Sequence, residues 1–129
     1  MSQQFTQIHQ SIEDINQKGG RGNFAVFLAD SDKNYYVQIA GAKNSNAYYL
    51  EAVSNKNLSQ QYSLDNLKLN LLNQLGWKTP NQEIENFYYQ IEVKNNEERV
   101  KIAEFIFETL KQVYELNLSS SIKIDLVLE

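Results

Sequence analysis

The stretch "NQLGWKTP", residues 73–80, contains the only Trp and the only Pro of the 129-residue chain, directly after a Gly. Two rare residues and a glycine so close together mark either a structural terminator or a site. With Leu75 as the helix C-cap, Gly76 falls at the left-handed position where a Cβ is costly. Trp77 is then the residue that packs back on the last turn, against Leu72 or Leu71. Pro80 keeps the helix from resuming and favours an extended Thr79. A helix therefore ends here and a different element begins.

Upstream, "SLDNLKLNLLNQLG" (63–76) supplies that helix. Ser63 is its expected N-cap, and Asp65 complements the positive helix start. Leu64, Leu67, Leu71 and Leu75 form the expected apolar stripe, widened by Leu72. Three strands precede it: "FAVFLAD" (24–30), "YYVQIAG" (35–41) and "AYYLEAV" (47–53). The first is apolar on both faces, as a buried central strand is. In the second, Tyr35, Val37 and Ile39 share a face. In the third, Tyr48, Leu50 and Ala52 do. The connections "SDKN" and "AKNSN" carry hairpin-turn residues, so the three form an antiparallel meander. Before the meander, Phe5, Ile8, Ile12 and Ile15 recur at helical spacing and predict an amphipathic helix over 2–17. "KGGRGN" (18–23) stops it, with Gly19 as a left-handed residue.

Downstream, "FYYQIEV" (87–93) is a fourth strand with Phe87, Tyr89, Ile91 and Val93 on one face. "NNEERVKIAEFIFETLKQVYEL" (95–116) is the longest helix. Asn95 and Glu98 resemble a capping box at its start. Val100, Ala103, Phe107, Leu110 and Tyr114 form its main stripe, flanked by Ile106 and Val113. "SIKIDLVLE" (121–129) alternates almost strictly, with Ile122, Ile124, Leu126 and Leu128 inward. The order α-β-β-β-α-β-α-β predicts an α+β fold: an antiparallel sheet, the meander plus one or two later strands, packed against helices. At this length residues 1–129 are expected to form a single domain.

Composition excludes many chemistries. With 42% hydrophobic and 22% charged residues, the chain reads as an ordinary globular protein. Its net charge is −4, and its few basic residues are scattered. A nucleic-acid partner, which needs clustered Lys and Arg on the phosphates, is not expected. No apolar run approaches the ~20 residues of a membrane span, so no membrane partner is expected either. The first residues lack the order of a signal peptide, and a cytoplasmic location is the expectation. There is no Cys and one His, His9, which removes disulfides, thiolate sites and multi-His metal sites.

The remaining motifs fail their own tests. "GGRG" (19–22) lacks the GK[ST] of a phosphate loop and runs from helix to strand, the reverse of what phosphate binding needs. "DSDKN" (30–34) opens like a calcium loop. Tyr35 then stands where Gly is required, and Gly41 where a bidentate Glu is required. His9, one turn from Phe5, has no partner set that would make it a base. Glu13–Asp14, Glu83–Glu85 and Glu97–Glu98 are acidic pairs, and Glu97 and Glu98 suit a helix N-terminus. No catalytic residue, metal ligand or cofactor is expected, and the chain is read as non-enzymatic.

Three Tyr doublets are more informative. Side chains alternate along a strand. Tyr36, Tyr49 and Tyr88 therefore face away from the helices, with Gln38, Glu51, Gln90 and Glu92 around them. Tyr is both a good strand former and enriched at interfaces, so a structural surface and a partner-binding or self-association surface both fit.

The meander, then Leu75, Gly76, Trp77 and Pro80, then Leu110, Val113 and Tyr114 of the long helix, resemble the type III secretion chaperone-like group, which includes the YbjN-like bacterial domains. The resemblance implies a non-enzymatic bacterial α+β protein, often a homodimer, that holds an extended segment of a secreted protein against apolar patches. One departure is "SIKIDLVLE", which follows the long helix where the secretion chaperones end on it. On this reading the candidate partner-binding residues are Tyr36, Tyr49, Tyr88 and Trp77, and the partner is a protein or a second copy. Two alternatives stay open: a small-molecule-binding or enzymatic domain with a pocket between sheet and helices, and an inhibitor or immunity-type protein.

Overall fold

The computed structural model describes residues 2–129. Three helices and five strands follow in the order α1 (Gln3–Gln17), β1 (Asn23–Asp30), β2 (Tyr35–Gly41), β3 (Ala47–Ala52), α2 (Asn66–Leu75), β4 (Phe87–Glu92), α3 (Asn96–Gln112) and β5 (Lys123–Val127). The strands form one antiparallel sheet in the order β4-β3-β2-β1-β5. This is the α+β order that the hydrophobic periodicity predicts.

One face of the sheet is the core. Alternate side chains of the inner strands (Phe27, Val37, Ile39, Leu50, Ala52) have no exposure. They meet Ile8, Ile12 and Ile15 of α1 and Ile106 and Leu110 of α3, all fully buried in the same cluster. α1 lies on β1 and β2, α3 on α1 and β2, and α2 on α3. A buried ion pair crosses between helices, where Arg99 Nε donates to Glu13 Oε1 at 3.0 Å.

The opening stretch is a Schellman cap. Gly76 adopts φ 114°, and its N–H donates to the Asn73 carbonyl, while Trp77 N–H donates to the Leu72 carbonyl at 3.1 Å. These are the two bonds that satisfy the last carbonyls of a helix ending at Leu75. Trp77 then turns into the core at 3% exposure. Two of its ring contacts are on α3. It stacks on Phe105 (centroids 4.9 Å, 26°), and its Nε1 donates to Thr109 Oγ1 at 3.0 Å.

Three details differ from the sequence expectation. The N-cap of α2 is Asp65, whose carboxylate accepts from Lys68 N–H at 3.0 Å; Ser63 instead closes a short 3₁₀ turn, Gln60–Tyr62. Because the helix starts later, Leu64 lies outside its register. Leu72 is fully buried while Leu67 is 68% exposed. The main packing partner of α2 is α3, so only a narrow strip of it is covered. In α3 the helix ends at Gln112, and Glu115 turns the chain at φ 61°. Its buried face is broader than the stripe, taking in Arg99, Ile102 and Thr109, because α1, α2 and β2 all pack on it. Val100 and Phe107 lie half-buried at its margin. Finally, β1 is internal to the sheet, yet only one of its faces is core. Phe24, Val26 and Leu28 stand half-buried on the other.

Candidate functional site

The second sheet face has no helix over it. Strand register arranges its side chains in rows. Val127, Phe24, Ala40, Tyr49 and Gln90 cross the sheet in one row, and Asp125, Val26, Gln38, Glu51 and Tyr88 in the next. Lys123, Leu28 and Tyr36 begin a third. The face therefore grades from aliphatic over β1 to tyrosine, Gln and Glu over β3 and β4. Phe24, Val26, Leu28 and Tyr49 stand outside the core cluster.

Tyr36, Tyr49 and Tyr88 all lie on this face, as alternation predicts. Polar bonds hold two of them in place. The hydroxyl of Tyr36 accepts from Asn86 Nδ2 at 3.1 Å, and the same amide donates to Glu51 Oε1 at 3.0 Å. Asn86 is itself buried, its carbonyl accepting from Ser54 N–H (3.0 Å) and Asn57 Nδ2 (2.8 Å). Tyr88 Oη accepts from Asn81 Nδ2 at 3.4 Å, and the Lys78 ammonium lies 6.0 Å from its ring centre. Burial first, and then the charge of the Glu51 carboxylate beside it, push the Tyr49 hydroxyl up to about 12. At neutral pH it is protonated, a donor on this face.

An open groove of ≈ 530 Å³ runs beside Tyr49, bounded by Arg21, Ala40, Gln90 and Glu92. It reaches the sheet edge at β4. There Lys78 and Tyr88 exchange backbone hydrogen bonds (2.9 and 3.1 Å). Outward-facing backbone groups alternate along an edge strand, so those of Gln90 and Glu92 also face outward. The edge is closed at Tyr88 and open for the following turn of the pleat.

Leu75, Gly76, Trp77 and Pro80 lie instead at the end of α2 and the start of its connection to β4, with Trp77 packed on α3. Sequence reasoning missed the contribution of Phe24, Val26 and Leu28; the signal was present in the two-sided apolar pattern of β1. It also missed Asn86, which nothing in the local sequence distinguishes. His9 stacks on Phe5 and stands 3.3 Å from the Glu13 carboxylate that Arg99 already holds. Asp30 Oδ1 accepts from the N–H groups of Asp32 and Lys33, which makes "DSDKN" a hairpin turn. Among the described residues no group of three or more His, Cys, Asp or Glu is placed to hold a metal. No helix among them is long and apolar enough to cross a membrane.

The chain is an α+β protein: an antiparallel sheet backed by helices, with one open, tyrosine-bearing face and a partly free edge, the kind of edge to which an extended peptide can add a strand. The family model that matches is TY-Chap3, described as T3SS (YopN, CesT) and YbjN peptide-binding chaperone 3, over residues 12–126. The chain belongs to this family. No curated protein and no solved structure matches the chain. The match spans every strand except the last residue of β5, and β5 is part of it.

Proposed function

We propose that this chain is a non-enzymatic, single-domain chaperone-like module of the bacterial cytoplasm that holds an extended segment of a partner protein on its open sheet face. The observation that carries the reading is the row arrangement. Aliphatic side chains over β1 adjoin three tyrosines over β2, β3 and β4, and two of those tyrosines are oriented by fixed polar partners. Tyrosines anchored in this way lose little freedom on binding and present large amphipathic surfaces. Glu92 in the Tyr49 groove and Glu51 beside Tyr49 favour a partner segment with a basic residue there, and Arg21, also lining the groove, favours an acidic one.

Self-association is the second reading. The outward backbone of Gln90 and Glu92 favours it, since β4 of a second copy would satisfy these groups by antiparallel pairing and give a homodimer.

The test is selection of random peptides on the full chain, then fluorescence anisotropy of an enriched peptide. The triple variant Tyr36→Ser/Tyr49→Ser/Tyr88→Ser, with an unchanged circular dichroism spectrum, is expected to bind at least about tenfold more weakly. Affinity unchanged in that variant would refute the assignment of the face. Sedimentation as a function of concentration separates the homodimer from the monomer.

A further inference from the structure

Glu51 stands at the centre of the tyrosine rows. Gln38 of β2 and Tyr88 of β4 are directly opposite it on the two neighbouring strands. Tyr49 lies two residues back on the same face of β3, and Tyr36 is its diagonal neighbour on β2. The side chain is half-buried, and among the described residues it enters no ion pair. Lys123 on β5 is three strands away, about 14 Å at ordinary strand spacing. The Lys78 ammonium lies over Tyr88, 6.0 Å from the ring centre. Arg21 lines the groove toward the start of β3, where Glu92 also stands. Glu51 is therefore a carboxylate drawn partly out of water without a cation, an arrangement that costs free energy until a cation arrives.

Its orientation is fixed from beneath. Asn86 is 6% exposed, and its Nδ2 donates to Glu51 Oε1 at 3.0 Å and to the Tyr36 hydroxyl at 3.1 Å. Its carbonyl accepts from Ser54 N–H at 3.0 Å and from Asn57 Nδ2 at 2.8 Å. A carboxamide has two hydrogens and two carbonyl lone pairs, and here all four are used. The amide cannot be turned over, because the Ser54 N–H can only donate and must face the oxygen. Asn86 therefore sets the carboxylate of Glu51 and the ring of Tyr36 in one orientation before anything binds. A carboxylate held in this way gives up little freedom when it takes a partner.

We propose that Glu51, positioned by Asn86, is the specificity-determining residue of the open face, and that it selects a guest segment by a lysine or arginine side chain reaching the cluster of Glu51, Tyr49 and Tyr88. The guest cation pairs with the free lone pairs of the carboxylate and meets the flanking tyrosine rings. Asn86 is buried and acts through Glu51, as a positioning residue. This inference rests on the open-face reading and adds to it the chemistry of one guest position.

The test is parallel selection from one random peptide library on the full parent chain, Glu51→Gln and Glu51→Lys, each with an unchanged circular dichroism spectrum. Peptides selected on the parent are expected to share a Lys or Arg at one recurring position. Those selected on Glu51→Gln are expected to show no charge preference there, and those on Glu51→Lys an Asp or Glu. The same basic position in all three sets, or no basic position in the parent set, would overturn the proposal. In fluorescence anisotropy, replacing that Lys or Arg by Ala is expected to weaken binding at least about fivefold on the parent and at most about twofold on Glu51→Gln. An equal loss on both chains would overturn the assignment of Glu51.

The role of Asn86 is read without changing it. Its side-chain amide protons are expected to exchange at least about a hundredfold slower than those of an exposed side-chain amide. Their NMR signals are expected to shift when the basic peptide binds and to shift much less with its Ala version. Rapid exchange, or equal shifts with the two peptides, would overturn the positioning role. Binding that depends on the three tyrosines but ignores guest charge defeats this inference alone. Binding that survives the triple tyrosine variant defeats the open-face reading itself, so the two failures are distinguishable.

Discussion

Thr109→Val isolates the bond that ties the Gly-Trp turn to α3. Thr109 has no exposure and Trp77 has 3%, so the 3.0 Å bond between Trp77 Nε1 and Thr109 Oγ1 is out of water. Valine keeps the shape of threonine but offers no acceptor. The indole N–H is then a buried donor without a partner, a loss of about 1–3 kcal/mol. The threonine hydroxyl also donates to the Phe105 carbonyl at 2.8 Å, but a helix carbonyl keeps its backbone partner, so this loss adds little. Burying a methyl in place of a hydroxyl offsets part of the cost, by up to about 0.8 kcal/mol. The net expectation is a destabilisation of about 1–2 kcal/mol, or a melting point lower by roughly 3–10 °C for a chain of this size.

Urea unfolding followed by emission is well placed to read it, because Trp77 is the only Trp and sits at the site of change. The midpoint falls and the slope stays constant if packing alone has changed. Thr109→Ser keeps the acceptor and is expected to retain the bond. A Thr109→Val chain as stable as the parent would refute the reasoning that this bond anchors the turn.

Gly76→Ala is expected to cost about 1–2 kcal/mol from backbone conformation alone. Gly76 holds φ 114° and no atom lies within 4 Å of the added Cβ, so an unchanged melting point would remove the cap assignment. Asp65→Ala is expected to cost about 1 kcal/mol and Ser63→Ala close to none, since only the Asp65 carboxylate caps α2. Equal effects on thermal unfolding would restore Ser63 as the cap. Alkali is expected to destabilise the fold. Burial is the main cause raising the tyrosines 35, 48, 49 and 114 above their ordinary 10, with Tyr49 at about 12. In the unfolded chain they lose protons near 10 and in the folded chain later. Their contribution is therefore complete below pH 10 and lost as pH rises through each raised value, about 12 for Tyr49. The absorbance difference between the parent chain and Tyr49→Phe isolates one of the eight tyrosines; a difference that rises at pH 10, before unfolding by circular dichroism, would contradict this.

The element order was legible because each segment announced its own period: 3.6 in α1 and α3, 2 in β2, β3 and β4, and a Gly-Trp-Pro stop after α2. Positions that tertiary packing decides were not. Leu67 fits a helical stripe, yet α2 packs mainly on α3, and that side chain faces solvent. Thr109 and Arg99 are polar and fall off any apolar stripe. They are buried because Trp77 and Glu13 meet them there. The tyrosine face followed from strand alternation alone. Its aliphatic half did not, because a two-sided apolar strand reads equally as one buried on both faces. Phe24, Val26 and Leu28 acquire their meaning only once every helix is seen to lie on the opposite side of the sheet.

The central claim is that an extended partner segment lies on the open sheet face. Amide and methyl NMR of the full chain, titrated with a peptide selected on it, tests this directly. The account predicts the largest shifts at Phe24, Val26, Tyr36, Gln38, Tyr49 and Tyr88, with the solvent-facing sides of α1 and α3 unmoved. Shifts concentrated on those helices, with the tyrosine rows silent, would contradict it.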